Sequence, residues 1–182
     1  DGINATGFPS GVAGVPTEVL ESLTPLIQSQ RELRIDSGGA GTYRGGLGQW
    51  TDFAYRGEAS WAVSPLADRT RFPATGLDGG KDGAPGEFIV NENIRPQPKA
   101  LFTLEPGAHV QLNLPGGGGY GDPFQRSPQL VLNDVVNGYV SLAAAASEYG
   151  VIVRYLGDAG QIVRPPELYV IDEEATKLRR TS

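Results

Sequence analysis

Apolar residues alternate with polar ones in several short stretches over the first two thirds of the chain. They return at helical spacing only in the last third. Residues 28–35 alternate loosely, with Leu33 and Ile35 on one face, and predict a strand. Residues 49–56 set Trp50, Phe53 and Tyr55 among polar neighbours, and Trp61 and Val63 continue the pattern over 58–63. These two stretches predict a hairpin across Gly57. Short strands follow at 87–91, 100–104 and 109–114. In the last, Val110, Leu112 and Leu114 face one side, while Gln111 and Asn113 face the other. Pro25 argues against a long helix over 18–26. A helical signal begins where Ser127 can cap and Pro128 can take the first position, and Gly138 stops it. A second opens at Ser141 and ends at Gly150. Strands are predicted at 151–155 and 168–171, then a short helix through Arg180 whose cations suit a C-terminal dipole. The pattern predicts a mainly β fold, a distorted sandwich or barrel-like assembly, with short helices at about 128–137 and 142–149. Residues 1–182 read as one β-rich domain or fragment without a convincing internal linker.

Composition sharpens this picture. Of 182 residues, 26 are glycine and 14 proline, more than a fifth of the chain. They follow no Gly-X-Y period, so a collagen-like chain is excluded. The net charge of −6 and the lack of a basic cluster argue against nucleic-acid binding. Cysteine is absent, which removes disulfides, thiol catalysis and Cys-containing zinc sites. No apolar run is long enough to span a membrane as a helix. Methionine is absent too and the chain opens Asp1-Gly2, so it is expected to be a piece of a longer or processed chain.

Two glycine-rich segments carry the candidate chemistry. One runs from Asp36 to Gln49 around Arg44; the other from Leu114 to Pro123 holds Gly116, Gly117, Gly118 and Gly119 in succession. The second either cradles an anion on backbone N–H groups or serves as a structural turn or subunit contact. It lacks the Lys-Ser/Thr ending of a phosphate-binding loop and does not fit a dinucleotide fingerprint. The Arg44 guanidinium either clamps a carboxylate or phosphate, or ties its loop to Asp36 or a chain end. Asp122 and Arg126 flank the glycines with opposite charges, as a salt-bridged loop or as substrate-orienting groups. Tyr120, Tyr139 and Tyr149 either line a pocket or fill cores and contacts. His109 stands alone, as a base or as a strand residue, and supports no catalytic triad. Asp78, Asp82 and Glu87 are too loosely spaced for an EF-hand and read as a cation site or a solvated loop. The sequence therefore singles out Arg44, Gly116, Gly117, Gly118, Gly119, Tyr120, Asp122 and Arg126 as substrate or anion contacts. It leaves the catalytic residues unknown and assigns no metal ligand.

The strings from Asp36 to Gly48, Leu114 to Pro128 and Asn133 to Val151 resemble the hydantoinase B/oxoprolinase family in order and spacing. Residues 14–21 match more weakly. The resemblance runs from about residue 10 to about residue 156 and identifies the chain as the C-terminal portion of a family member. It implies a cytoplasmic hetero-oligomer with the remainder of a hydantoinase B-like subunit and an ATP-binding, hydantoinase A-like subunit. The implied activity is ATP-dependent opening of cyclic amides such as 5-oxoproline, hydantoins or lactams. Related complexes carboxylate ketones, and a purely structural assembly module is the third reading. ATP with Mg, and a further divalent metal, are implied for the full complex and none for this chain alone. In the ketone carboxylase relatives, the histidine and acidic metal ligands lie in a region with no counterpart here.

Overall fold

The computed structural model describes residues 1–6, 14–97, 99–158 and 160–181. A seven-residue helix, α1 (Thr17–Leu23), leads into strand β1 (Leu26–Leu33). Strands β2 (Gln49–Tyr55), β4 (Glu87–Val90) and β6 (His109–Asn113) complete an antiparallel sheet of order β1-β2-β6-β4. The short strands β3 (Trp61–Val63) and β5 (Phe102–Leu104) pair with each other. Phe88, Val90 and Val110 are buried, packed with Trp61, Val63, Phe102, Leu104 and Leu112. The β3–β5 ribbon therefore lies against one face of the sheet.

The predicted hairpin across Gly57 does not form. β2 pairs with β1 and β6, while β3 joins β5. Tyr55 and Trp61 still meet, with ring centroids 5.1 Å apart, so the two stretches touch through side chains rather than a ladder.

The chain then turns helical through α2 (Pro128–Val136) and α3 (Leu142–Glu148), and a two-stranded pair, β7 (Val153–Tyr155) with β8 (Tyr169–Ile171), precedes α4 (Glu173–Thr181). Pro128 takes the first helical position of α2, but Ser127 makes no side-chain cap bond. Gly138, at φ 71°, terminates the helix: its left-handed conformation lets Tyr139 N–H reach the Asp134 carbonyl at 2.8 Å. Ser141 does cap α3, its hydroxyl accepting from Ala144 N–H at 3.0 Å. Val131, Val135, Val140, Ala145, Tyr149, Val151 and Val153 form the second apolar core.

The mainly β reading is corrected. Helix and strand contribute about equally, 22% and 23%, and the sheets do not close into a barrel. Four strands are only three residues long, and the glycine-rich stretches that read as turns between strands are irregular backbone packed against other segments. No helix among the described residues is long and apolar enough to cross a membrane.

Candidate functional site

Between the sheet and the helical region lies a layer built almost entirely of backbone. Three segments, 36–48, 74–86 and 114–122, pack against one another. Gly39 N–H donates to the Gly117 carbonyl (2.8 Å), Gly117 N–H to Gly46 (2.8 Å) and Gly45 N–H to Gly39 (2.9 Å). Tyr43 and Tyr120 exchange both of their backbone bonds at 3.0 Å. Glycine is required because the chains touch. A Cβ on Gly116 would overlap the Ser37 carbonyl, and one on Gly119 would overlap that of Ala40. Ser37, almost fully buried, bridges the layer: its hydroxyl donates to the Arg34 carbonyl and accepts from Gly48 N–H at 2.9 Å.

This packing engages most of the amides that an anion cradle would use. The N–H of Gly116 bonds Ala84, that of Gly117 bonds Gly46, that of Gly119 bonds Lys81 and that of Gly121 bonds Leu77.

The two candidate arginines turn inward together. Arg126 is 2% exposed and Arg44 3%. Arg126 Nη1 and Nη2 grip the Asp1 carboxylate at 2.6 and 2.8 Å in a bidentate fork, and Nη2 also donates to Asp134 Oδ2 at 2.7 Å. Arg44 Nη1 donates to the Gly45 carbonyl at 2.7 Å. Its Nε lies 3.5 Å from Asp134 Oδ2, an electrostatic contact without hydrogen-bond geometry. The Arg44 guanidinium carbon sits 5.1 Å from the centre of the Tyr139 ring. The two guanidinium groups are thus engaged with the carboxylates of Asp1 and Asp134. Asp122 does not pair with Arg126. Its carboxylate caps a 3-10 turn (Pro123–Gln125) by accepting from Phe124 N–H at 2.9 Å, and its carbonyl accepts from Thr42 Oγ1 at 2.7 Å.

The remaining candidates disperse. Asp36 adopts φ 59° and reaches across the chain, accepting from Ser141 N–H at 2.7 Å. His109 Nδ1 lies 3.1 Å from Asp52 Oδ1 on the neighbouring strand. Asp82 accepts from Gly76 N–H, Glu87 pairs with Arg34 and Arg95, and Asp78 accepts a hydrogen bond from the Tyr120 phenol, which that bond and then its charge push up. Among the described residues no group of three or more His, Asp or Glu is placed to hold a metal. Tyr149 is buried and its phenol is pushed up to about 12, chiefly by desolvation.

Of the predicted set, Arg44, Gly117, Gly118 and Tyr120 converge on one concavity of about 550 Å³, whose rim carries Ile3 and Leu114. Tyr43 and Tyr120 are half exposed beside it, with ring centroids 6.2 Å apart. Sequence reasoning missed Asp1 and Asp134. Asp134 had a signal: it is a charge beside Val131 and Val135 on the apolar face of α2, where only a buried partner would be tolerated.

The family model described as Hydantoinase B/oxoprolinase matches residues 1–123. That corrects the expected placement. The matched stretch is the N-terminal ~68% of the chain, not a C-terminal portion, and it stops before α2 and α3. Caprolactamase subunit beta of Pseudomonas jessenii is 35% identical over 181 residues, covering 91% of this chain and 28% of that protein. The crystal structure of the ATP-dependent caprolactamase from the same organism superposes over 100% of this chain and 32% of that one, at TM-score 0.73 and 30% identity. The nucleotide-free structure of an acetone carboxylase, from work on ATP-dependent acetone carboxylation, covers 100% of this chain and 28% of that one, at TM-score 0.75 and 25% identity. The chain thus spans about a third or less of the length of these relatives.

Proposed function

The chain belongs to the hydantoinase B/oxoprolinase family, and from that premise we propose that it is part of an ATP-dependent cyclic-amide hydrolase acting on a 5-oxoproline, hydantoin or lactam ring. Relatives are subunits of multisubunit hydantoinase, caprolactamase and acetone carboxylase systems. The observation that supports the amide branch is the higher identity to the caprolactamase than to the acetone carboxylase, in sequence and in superposed structure.

An amide carbonyl is a poor electrophile, and ATP with Mg in the full assembly would supply its activation. This chain's part is shape. The glycine layer brings three backbones into contact, with Arg44 and Arg126 committed to internal ion pairs. Its outer concavity, flanked by the exposed Tyr43 and Tyr120 rings, is the surface that completes a composite site or meets the rest of the assembly, an ATP-binding subunit included.

The test is made on the full-length subunit purified with its ATP-binding partner. ADP release and ring-opened product are measured with 5-oxoproline, hydantoin and caprolactam. The expected result is ADP formation that depends on a cyclic amide. The TM-score of 0.75 to the acetone carboxylase supports a second reading, ketone carboxylation. ADP release that instead needs a ketone and bicarbonate would select that reading, and stimulation by neither class overturns both.

A further inference from the structure

At the start of β4, cationic side chains from three connections gather in a chain whose net charge is −6: Arg34 after β1, Arg69 and Arg71 between β3 and β4, and Arg95 and Lys99 after β4. Arg69 adopts φ 53°, a left-handed conformation that costs any residue with a Cβ. Its carbonyl is held there by Gly86 N–H at 3.0 Å. The constrained turn sets Thr70 and Arg71 on the wall of a depression of about 340 Å³, completed by Glu87, Phe88, Arg95 and Pro96.

The nearby carboxylates are already in use. Glu87 Oε1 lies 3.6 Å from Arg95 Nε. Its Oε2 lies 3.7 Å from Arg34 Nη2 and accepts from Asn113 Nδ2 at 2.9 Å. Asp68 is held by Lys99 Nζ at 2.6 Å, and that ammonium keeps its carboxyl below the usual range. Arg71 is left with no carboxylate partner among the described residues, its guanidinium carbon 5.5 Å from the Phe72 ring centre. Arg34, Arg69, Arg71, Arg95 and Lys99 therefore outnumber the two acids among them. Arg71 and Arg95, both exposed, border the depression.

We propose that this depression binds a phosphoryl-type oxyanion, either free or carried on a nucleotide. The planar guanidinium fork matches tetrahedral oxyanions, and the Thr70 hydroxyl adds a neutral donor. This inference does not rest on the cyclic-amide reading and needs no turnover to be checked.

Isothermal titration calorimetry of the protein with sodium pyrophosphate, at low ionic strength against a chloride control, tests it. Saturable binding is expected, weakened about tenfold or more in the Arg71→Ala/Arg95→Ala variant, as loss of charge-assisted bonds implies. Arg31→Ala, an exposed arginine on β1, should bind as the parent does. ADP is titrated in parallel. Equal affinities assign recognition to the phosphoryl group alone, and tighter ADP assigns it to a nucleotide. Should the double variant misfold by circular dichroism, the parent protein is modified with phenylglyoxal. Protection of Arg71 by pyrophosphate, read by peptide mass spectrometry, then supports the site. Absence of saturable binding, affinity unchanged in a folded double variant, or unprotected Arg71 overturns it.

Discussion

The glycine layer and the helical region behind it are held together by opposite means. In the layer, backbone meets backbone, and the stabilising contacts are N–H···O=C bonds between segments distant in sequence. In the helical region, side chains fill the space. Valines, Ala145 and Tyr149 make an apolar core, with a buried ion-pair network where α2 meets the layer. The first region leaves no room for added side chains at its contacts. The second tolerates no unpaired charge. Arg44 and Arg126 join the two, since each sits in or beside a glycine segment while its guanidinium reaches Asp134 on α2.

The largest effect should come from cutting that join. Asp134→Ala leaves two buried guanidinium groups with Asp1 as their remaining carboxylate, and should cost about 3–5 kcal/mol, read as a shift in the urea midpoint. A shift near zero would mean that the helical region stands without the network.

A smaller but more discriminating effect lies inside the layer. Gly116→Ala drives a Cβ into the Ser37 carbonyl and should cost about 3 kcal/mol, the upper part of the range for overpacking. At Gly117 the nearest backbone atom is Gly46 N, 3.2 Å from the added Cβ, so Gly117→Ala should cost less than about 1 kcal/mol. Equal costs would show that the layer repacks and that the backbone contact is not the constraint.

The most conditional effect, absent below pH 10, belongs to the helical core. Burial raises the Tyr149 phenol to about 12 from 10.0, with the Arg126 and Arg44 charges opposing and those of Asp134 and Asp36 adding. A folded value above the unfolded one means that the folded state keeps its proton longer. The stability tied to this proton is thus complete below pH 10 and is lost as pH rises from 10 to about 12, by up to roughly 3 kcal/mol. Thermal melts from pH 9 to 12 should fall less steeply for Tyr149→Phe than for the parent. Parallel curves would remove Tyr149 from the account.

Much of the fold was legible. Alternation located the strands of the main sheet, and Pro128, Gly138, Ser141 and Gly150 bracketed α2 and α3. Partnering was not legible, because period-two patterns say which face a residue takes and not which strand lies beside it. The hairpin across Gly57 failed for this reason. Glycine content misled the fold class as well, since glycine marks a turn and a close backbone approach with the same letter.

At the candidate site the two segments were found, but their roles were not. Sequence named Arg44, Arg126 and the glycines because guanidinium and bare backbone are what anions bind. Tertiary structure decided that most of those amides face other carbonyls and that the guanidinium groups face Asp1 and Asp134. The carboxylates that neutralise Arg126 lie 125 and 8 residues away, and no local pattern encodes the first distance. What the chain determined by itself was composition, periodicity and the family-like glycine strings, because these are properties of neighbours along the backbone. Only the fold decided which donors remain free, because a hydrogen bond or ion pair is satisfied by whatever the packed chain brings within reach.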